Sequence, residues 1–241
     1  MEIEMKAKLN DEQLDKILWC IDNESEYLEK SDEYFSFDGI APKKPKNIIR
    51  IRKEKVGNAN KCLADAGSCN VATVKNILTG SIHPFANVEA DKEQTWLTVK
   101  AKNTDPYGIE SNREVEGSLD GNTEEAFRKS MKVAHFDTYF TKFKRSFSFY
   151  VRNKDEDKND FIMHAELVSV DGIGPYLEIE STIRLENEDA DVLDGEDLFK
   201  RNTARDQIKW YFKYELGITE FDDRSWVDIV AEYDESYIKV R

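Results

Sequence analysis

The 241-residue sequence has few cysteines, few histidines and no long apolar run. Its cysteines, Cys20, Cys62 and Cys69, lack the spacing of a zinc knuckle, and its three histidines are scattered, so a zinc site is not expected. Cys62 and Cys69 could pair as a disulfide. Without a secretory signal, however, the thiols favour a reduced, cytoplasmic protein. Because no segment is apolar over the length of a bilayer, we expect no membrane partner.

Positive charge is also in short supply. The chain has 35 Lys and Arg residues against 49 Asp and Glu, which gives a formal net charge of −14. This balance argues against a general affinity for long nucleic acids or anionic membranes. The sequence has no P-loop lysine motif, and Gly172-x-Gly174 predicts a turn because no third glycine follows. With 39% hydrophobic residues, the chain can bury a core, and we expect one domain over residues 1–241.

Alternation of apolar and polar residues predicts a largely antiparallel sheet of about eight strands. The alternating segments are 1–9, 33–38, 48–53, 96–102, 109–116, 139–150, 161–170 and 176–185. Helical spacing predicts helices over 11–30 and 122–135, the second with a capping box from Asn122 and Glu125. Residues 56–94 form an insertion between two strands, and residues 196–241 form a helical tail.

The charged residues of these strands alternate with apolar ones and are sorted by sign. In the opening EIEMK, the side chains of Glu2, Glu4 and Lys6 share one face. Basic pairs recur at Arg50/Arg52, Lys100/Lys102 and Lys142/Lys144, and acidic pairs at Glu114/Glu116 and Glu178/Glu180. For any single strand, the usual interpretation is that the apolar face is buried and the charges meet solvent. The recurrence over several strands favours a closed sheet whose charged faces point inward.

Such a lumen would place basic side chains beside carboxylates. Arginine and lysine bind phosphate oxygens, whereas carboxylates hold Mg²⁺ or Mn²⁺, which can bridge to phosphate. Buried charges without a ligand or water are costly, so the interior must be hydrated or filled. The pattern therefore indicates a highly anionic polyphosphate ligand together with a divalent metal.

The order of motifs resembles that of the CYTH superfamily, also called the triphosphate tunnel metalloenzymes. EIEMK matches its Glu-x-Glu-x-Lys signature, and DEYFSF, IRIRKE, WLTVKAK, REVEG, TKFKRSF and DGIGPYLEIE follow in the family's order. The resemblance covers residues 1–185 apart from the insertion. It implies an α+β fold: an eight-stranded antiparallel β-barrel, the triphosphate tunnel, with peripheral helices and a helical C-terminal segment.

The resemblance also implies divalent-metal-dependent hydrolysis of a triphosphate-bearing substrate. The implied catalytic residues are Glu2, Glu4 and Lys6. Those implied to bind substrate are Lys6, Arg50, Arg52, Lys100, Lys102, Lys142, Lys144 and Arg145. Those implied to bind Mg²⁺ or Mn²⁺ are Glu2, Glu4, Glu114, Glu116, Glu178 and Glu180.

Three positions depart from the family pattern. Asn112 stands where the family usually has an arginine. Val168 stands where it often has an aspartate, and Glu166 is the nearest acid on that face. Arg145 is out of step with the basic face of its strand unless a bulge redirects it.

The sequence leaves several alternatives open. The substrate could be inorganic triphosphate, thiamine triphosphate or a nucleoside or RNA 5′-triphosphate. The chain could instead be a class IV-type adenylyl cyclase, or a catalytically weak module that binds polyphosphate or nucleotides. The insertion at 56–94 either caps one mouth of the tunnel or is a mobile surface loop, with Val74, Ile77 and Leu78 in a short helix. An oligomer is possible.

Overall fold

The strands and helices follow the predicted order along the chain. The computed structural model describes residues 1–40, 47–86, 88–104, 110–154, 160–184 and 195–233, without the side chains of 102–104, 110–112, 153–154 and 160. Within these residues the strands are β1 (Glu2–Lys8), β2 (Glu26–Phe37), β3 (Asn47–Asn58), β4 (Lys92–Thr104), β5 (Glu110–Ser118), β6 (Phe136–Lys154), β7 (Asp160–Val170) and β8 (Ile173–Thr182). The helices are α1 (Asp11–Leu18), α2 (Ala59–Asp65), α3 (Val71–Thr79), α4 (Gly121–Val133), α5 (Gly195–Leu216) and α6 (Trp226–Tyr233), with a short 3₁₀ helix at Pro84–Ala86.

The strands close into a barrel in the order β1-β5-β4-β3-β2-β6-β7-β8. Every neighbouring pair is antiparallel, and β1 closes the ring by pairing with both β5 and β8. Because successive side chains of a strand point to opposite faces, one face of each strand lines the lumen. The predicted α+β fold with a closed eight-stranded antiparallel barrel is confirmed.

The main apolar core lies outside the barrel, between the strands and the helices. Ile3 of β1, Leu14 of α1, Ile77 of α3 and Phe212 of α5 belong to one buried cluster. Each of these side chains is fully excluded from solvent. Burying a side chain of this size contributes about 1.5–3 kcal/mol, so the apolar faces of these strands turn toward the helices. The charged faces are left to the lumen.

Two predicted helices have different bounds. The helix expected over 11–30 ends at Leu18, and β2 already begins at Glu26. A turn separates them, in which the Asp22 carboxylate accepts from the backbone N–H of Glu24 at 2.9 Å. The helix expected over 122–135 is α4, but its N-cap is Asp120, whose carboxylate accepts from the Thr123 N–H at 2.7 Å. The capping box predicted for Asn122 and Glu125 is therefore wrong.

The insertion between β3 and β4 is ordered. It holds α2 and α3, and α3 packs on the outer side of β6, β7 and β8. The predicted short helix is confirmed, since Val74, Ile77 and Leu78 lie on α3 and are buried in the core. A mobile surface loop is wrong for the described part of this segment.

The cysteines and the helices bear on two expectations from composition. Cys20, Cys62 and Cys69 are free thiols, so the possible disulfide between Cys62 and Cys69 is not formed. Among the described residues, no helix combines the length and the apolar character that crossing a bilayer requires.

Candidate functional site

The barrel lumen holds a cavity of about 390 Å³ lined mostly by charged side chains. Seven are basic: Lys6, Lys30, Arg50, Arg52, Lys100, Lys142 and Lys144. Eight are acidic: Glu2, Glu4, Glu54, Glu114, Glu116, Glu166, Glu178 and Glu180. The charged faces of the strands thus point inward, as the sorting of charges along the sequence indicates.

One wall of the cavity, formed by β1, β5 and β4, is rich in carboxylates. The Lys100 ammonium lies 3.5 Å from Glu2 Oε2 and 3.2 Å from Glu114 Oε2. Burial and the nearby carboxylates of Glu114, Glu180 and Glu4 raise the pKa of Glu2 to about 7, although Lys100 acts in the opposite direction. Arg50 of β3 also donates to Glu114 Oε1 at 3.2 Å, and carboxylates still outnumber Lys100 and Arg50 on this wall.

This raised pKa predicts how stability depends on pH when divalent metal is absent. The carboxyl of Glu2 has an ordinary pKa of 4.5 and a pKa of about 7 in the folded chain. Between these values the folded state binds more protons than the unfolded state, so the free energy of unfolding should fall as pH rises through this window. Urea unfolding in EDTA at several pH values measures it. In the Glu2→Gln variant the decline should be shallower, and an equal decline in both proteins would contradict the assignment.

The opposite wall, formed by β2, β3 and β6, is built over a buried aspartate. Asp32 is fully excluded from solvent and accepts from Arg52 Nε at 2.7 Å and Arg52 Nη2 at 3.0 Å. Arg50 Nη1 and Lys142 Nζ lie 3.7 Å and 3.5 Å from its Oδ2. Burial alone would raise the pKa of Asp32, but Arg52, Lys142 and Arg50 hold it well below its usual range. Three cations therefore lie within 4.0 Å of one carboxylate, and Arg50 also donates from Nη2 to Glu114 Oε1 at 3.2 Å and to Glu116 Oε1 at 3.3 Å on the first wall.

A chain of buried ion pairs links the second wall to β7 and β8. Glu166 Oε1 lies 2.6 Å from the ammonium of Lys30, and Glu166 Oε2 lies 2.6 Å from that of Lys144. Lys144 also donates to Glu178 Oε2 at 2.5 Å. The acid nearest to Val168 on the inward face is therefore engaged with two lysines, while Val168 is fully buried in an apolar cluster.

A histidine orients one of the carboxylates. His164 Nδ1 lies 3.0 Å from Glu180 Oε1, and its Nε2 lies 2.8 Å from the Ser148 hydroxyl. Burial lowers the pKa of His164, but the hydrogen bond with Glu180 and the charge of Glu166 outweigh it, so the pKa is raised. This contact fixes Glu180 beside Glu4, its partner in the β1–β8 register.

Two residues predicted to bind substrate do not join this set. Arg145 lies on the opposite face of β6, with its guanidinium 4.5 Å from the centre of the Phe143 ring and its Nε 3.6 Å from Glu29 Oε1. It does not line the cavity, because the bulge that would redirect it is elsewhere: the β2–β6 register shifts at Tyr139. Lys102 lies on β4, but its side chain is outside the described residues.

Sequence reasoning missed several residues of the lumen. They are Lys30, Asp32, Glu54, Thr98, Tyr139, His164 and Trp226. Lys30 and Asp32 alternate along β2 in the same way as the residues that were recognised, so a correct start of β2 would have found them. No described residue between 57 and 91 lines the cavity, and the cap over one mouth of the tunnel stays a prediction.

The acidic wall fits a hard divalent cation by its donor chemistry. Among the described residues, no three His, Cys, Asp or Glu side chains are already grouped as a metal site. Mg²⁺, however, keeps several waters and needs only one or two carboxylates. Glu2 and Glu4 lie on one face of β1, with Glu180 opposite Glu4, and burial together with the neighbouring carboxylates raises the pKa of Glu2.

Comparison with known proteins identifies related folds. No family model matches the sequence, and no curated protein is significantly similar to it. The PH1819 protein of Pyrococcus horikoshii superposes with a TM-score of 0.64 at 17% identity, over 97% of this chain and 99% of that one. A conserved hypothetical protein of Pyrococcus furiosus gives a TM-score of 0.52 at 21% identity, over 95% and 99%. At these identities the likeness concerns the fold alone.

The barrel has the architecture that the sequence resemblance implies. It is closed, antiparallel and eight-stranded, and its charged side chains face inward. A further similar structure is HpAC1 of Hippeastrum, described as an adenylyl cyclase candidate with a dominant triphosphatase activity. It is 12% identical over 97% of this chain and 96% of that one, with a TM-score of 0.47. That score is too low to carry an argument about this chain.

Proposed function

We propose that this protein is a CYTH-type enzyme that hydrolyses a triphosphate-bearing small molecule with the help of Mg²⁺ or Mn²⁺. The observation that carries the proposal is the polarity of the lumen. Cations outnumber carboxylates around Asp32, carboxylates outnumber cations around Glu2, and Arg50 is shared between the two walls. A polyphosphate on the wall around Asp32 and a cation on the wall around Glu2 would compensate both.

The lumen residues then have separate tasks. Arg50, Arg52 and Lys142 would bind phosphate oxygens and neutralise them, because guanidinium and ammonium groups make charge-assisted hydrogen bonds with phosphate. Glu4 would accept a hydrogen bond from the attacking water and orient it toward the terminal phosphorus. A divalent cation bound by Glu2, Glu4 and Glu180 would supply charge neutralisation and a more acidic water. The acidic exterior disfavours long nucleic acids as substrates.

One experiment tests the reaction and separates it from its alternatives. The full chain is incubated with Mg²⁺ or Mn²⁺ and, in turn, with inorganic triphosphate, thiamine triphosphate, ATP and an RNA 5′-triphosphate. Phosphate and cyclic AMP are detected separately. Release of phosphate supports the proposal, whereas cyclic AMP from ATP would identify a cyclase. Tight binding without either product would identify a binding module and overturn the proposed hydrolysis.

Removing single cations should weaken substrate binding. Arg52→Ala and Lys100→Ala should each cost about 1.5–3 kcal/mol of binding, the range for hydrogen bonds between charged partners. Calorimetric titration with inorganic triphosphate measures the loss. Lys53→Ala is the matched control, because Lys53 follows Arg52 on β3 but faces outward with 60% of its side chain exposed. Binding by both lumen variants at the strength of the parent protein would count against a phosphate clamp.

A further inference from the structure

Lys6 is a buried cation whose ammonium has no acceptor among the described residues. It lines the cavity, and only 8% of its surface is exposed. The other six basic side chains of the lumen each have a carboxylate within 4.0 Å. In the part of the chain that the structure describes, no carboxylate oxygen comes that close to Lys6. A buried ammonium in this state is costly unless an anion or water meets it.

The carboxylate of Glu178, next to Lys6, is hydrogen-bonded to two other donors. Glu178 lies directly opposite Lys6 in the β1–β8 register. Its Oε2 accepts from Lys144 at 2.5 Å, and its Oε1 accepts from the indole Nε1–H of Trp226 at 2.5 Å. Asp222, also near enough to Lys6 to feel its charge, is held by Arg224, which donates to both of its oxygens at 2.8 Å and 2.6 Å. Both carboxylates near Lys6 are therefore already hydrogen-bonded to other donors.

The N-terminus of α6 opens onto the same cavity. Ser225, Trp226 and Val227 line it, and the preceding segment is fixed to β1 by a hydrogen bond from the Asp222 N–H to the Lys6 carbonyl at 2.9 Å. The Ser225 hydroxyl accepts from the Asp228 N–H at 3.2 Å, which caps that group. The N–H groups of Trp226 and Val227 belong to the first helical turn and have no partner within the helix. Such groups attract anions.

A third donor comes from the bulge in β6. The register shift at Tyr139 turns this residue into the cavity, where it is 5% exposed. Its hydroxyl has no hydrogen-bond partner among the described residues. Burial raises the pKa of Tyr139 to about 12, so the hydroxyl stays protonated and can donate. Tyr139 also packs in the apolar cluster that receives α6.

We propose that Lys6, the Tyr139 hydroxyl and the first amides of α6 form a subsite for one phosphate group, and that Trp226 is a positioning residue that keeps Glu178 away from Lys6. The identity of the ligand as a phosphate group rests on the proposed function. These donors line the same cavity, where Tyr139 and α6 pack in one apolar cluster, and phosphate oxygens are the acceptors that such a set would take.

The first test measures binding of inorganic tripolyphosphate to the full chain in EDTA by calorimetry. Tyr139→Phe removes one hydroxyl, and Val227→Pro removes one N–H in a first helical turn, where proline is tolerated. Each should weaken binding about ten-fold, and comparison of Val227→Pro with Val227→Ala separates the amide from the side chain. The controls are Tyr214→Phe, which is 60% exposed, and Asn122→Pro at the start of α4, outside the cavity. Unchanged binding by folded Tyr139→Phe and Val227→Pro would overturn the subsite.

The second test examines the role of Trp226 with a double-mutant cycle. Trp226→Phe should weaken tripolyphosphate binding, because Glu178 loses a donor and can pair with Lys6. In a Glu178→Gln background the same change should have little effect, since no carboxylate remains to be released. Equal losses in both backgrounds would show that the indole acts only through packing and would overturn its positioning role.

These outcomes are independent of turnover. Metal-free binding that depends on Tyr139 and Val227, without phosphate release in Mg²⁺ or Mn²⁺, would leave the subsite standing and reject the hydrolase. Phosphate release in Mg²⁺ or Mn²⁺, together with unchanged metal-free binding by these variants, would support the hydrolase and reject the subsite.

Discussion

Glu4→Gln should abolish phosphate release from a triphosphate while the barrel stays folded. Glu4 lines the cavity, shares a face of β1 with Glu2 and lies opposite Glu180. The amide keeps the size of the side chain but loses the negative charge that, in the proposed function, would bind a divalent cation and accept a proton from water. Loss of a group that acts in proton transfer costs about 10²–10⁴-fold in rate, and loss of the metal adds to it.

Two measurements check this expectation separately. Phosphate release in Mg²⁺ or Mn²⁺ reports turnover, and calorimetric titration of the protein with each metal alone reports binding. Excess EDTA should also abolish phosphate release by the parent protein. Glu12→Gln is the control, because its carboxylate lies on α1 with 80% of the side chain exposed and far from the lumen in the chain's topology. Full activity in EDTA, or normal turnover by Glu4→Gln, would contradict the assignment.

The barrel could be predicted from the sequence because its signal is local. Each strand shows alternation over several residues, and the sign of the charges repeats from strand to strand. The start of β2 was missed for a local reason as well. Leu14, Ile17, Leu18 and Ile21 recur at helical spacing, and this pattern extended the predicted helix past the turn at Asp22. That error removed Lys30 and Asp32 from the predicted lumen.

The remaining gaps in the predicted site arise from tertiary contacts. Alternation places Arg50 and Arg52 on the face that lines the lumen. It places Arg145 on the outer face of β6, where the structure has it. The bulge at Tyr139 changes which side chains of β6 face the lumen. No glycine or proline at this position would have predicted the bulge. Trp226 was predicted on a helix, but its bond to Glu178 joins residues 48 positions apart. No spacing rule reports such a contact.

Asp32→Asn should strongly destabilise the folded barrel. The carboxylate is fully buried and receives two hydrogen bonds from Arg52, with Arg50 and Lys142 within 4.0 Å. Removing one partner of a buried ionic cluster leaves the others uncompensated, which costs about 3–5 kcal/mol. Urea unfolding at pH 7 should show a fall of this size in the free energy of unfolding. Asp15→Asn on the exposed face of α1 should show no such fall.

The same variant also tests whether the basic wall is built for an anion. With Asp32 neutralised, Arg50, Arg52 and Lys142 repel one another, and a bound polyphosphate would relieve more repulsion than in the parent protein. Inorganic tripolyphosphate should therefore raise the unfolding midpoint of Asp32→Asn by more than it raises that of the parent. A small loss of stability would mean that water already screens the cluster. An equal response to tripolyphosphate in both proteins would mean that the anion binds away from these three cations, because only contact with them makes its effect depend on Asp32.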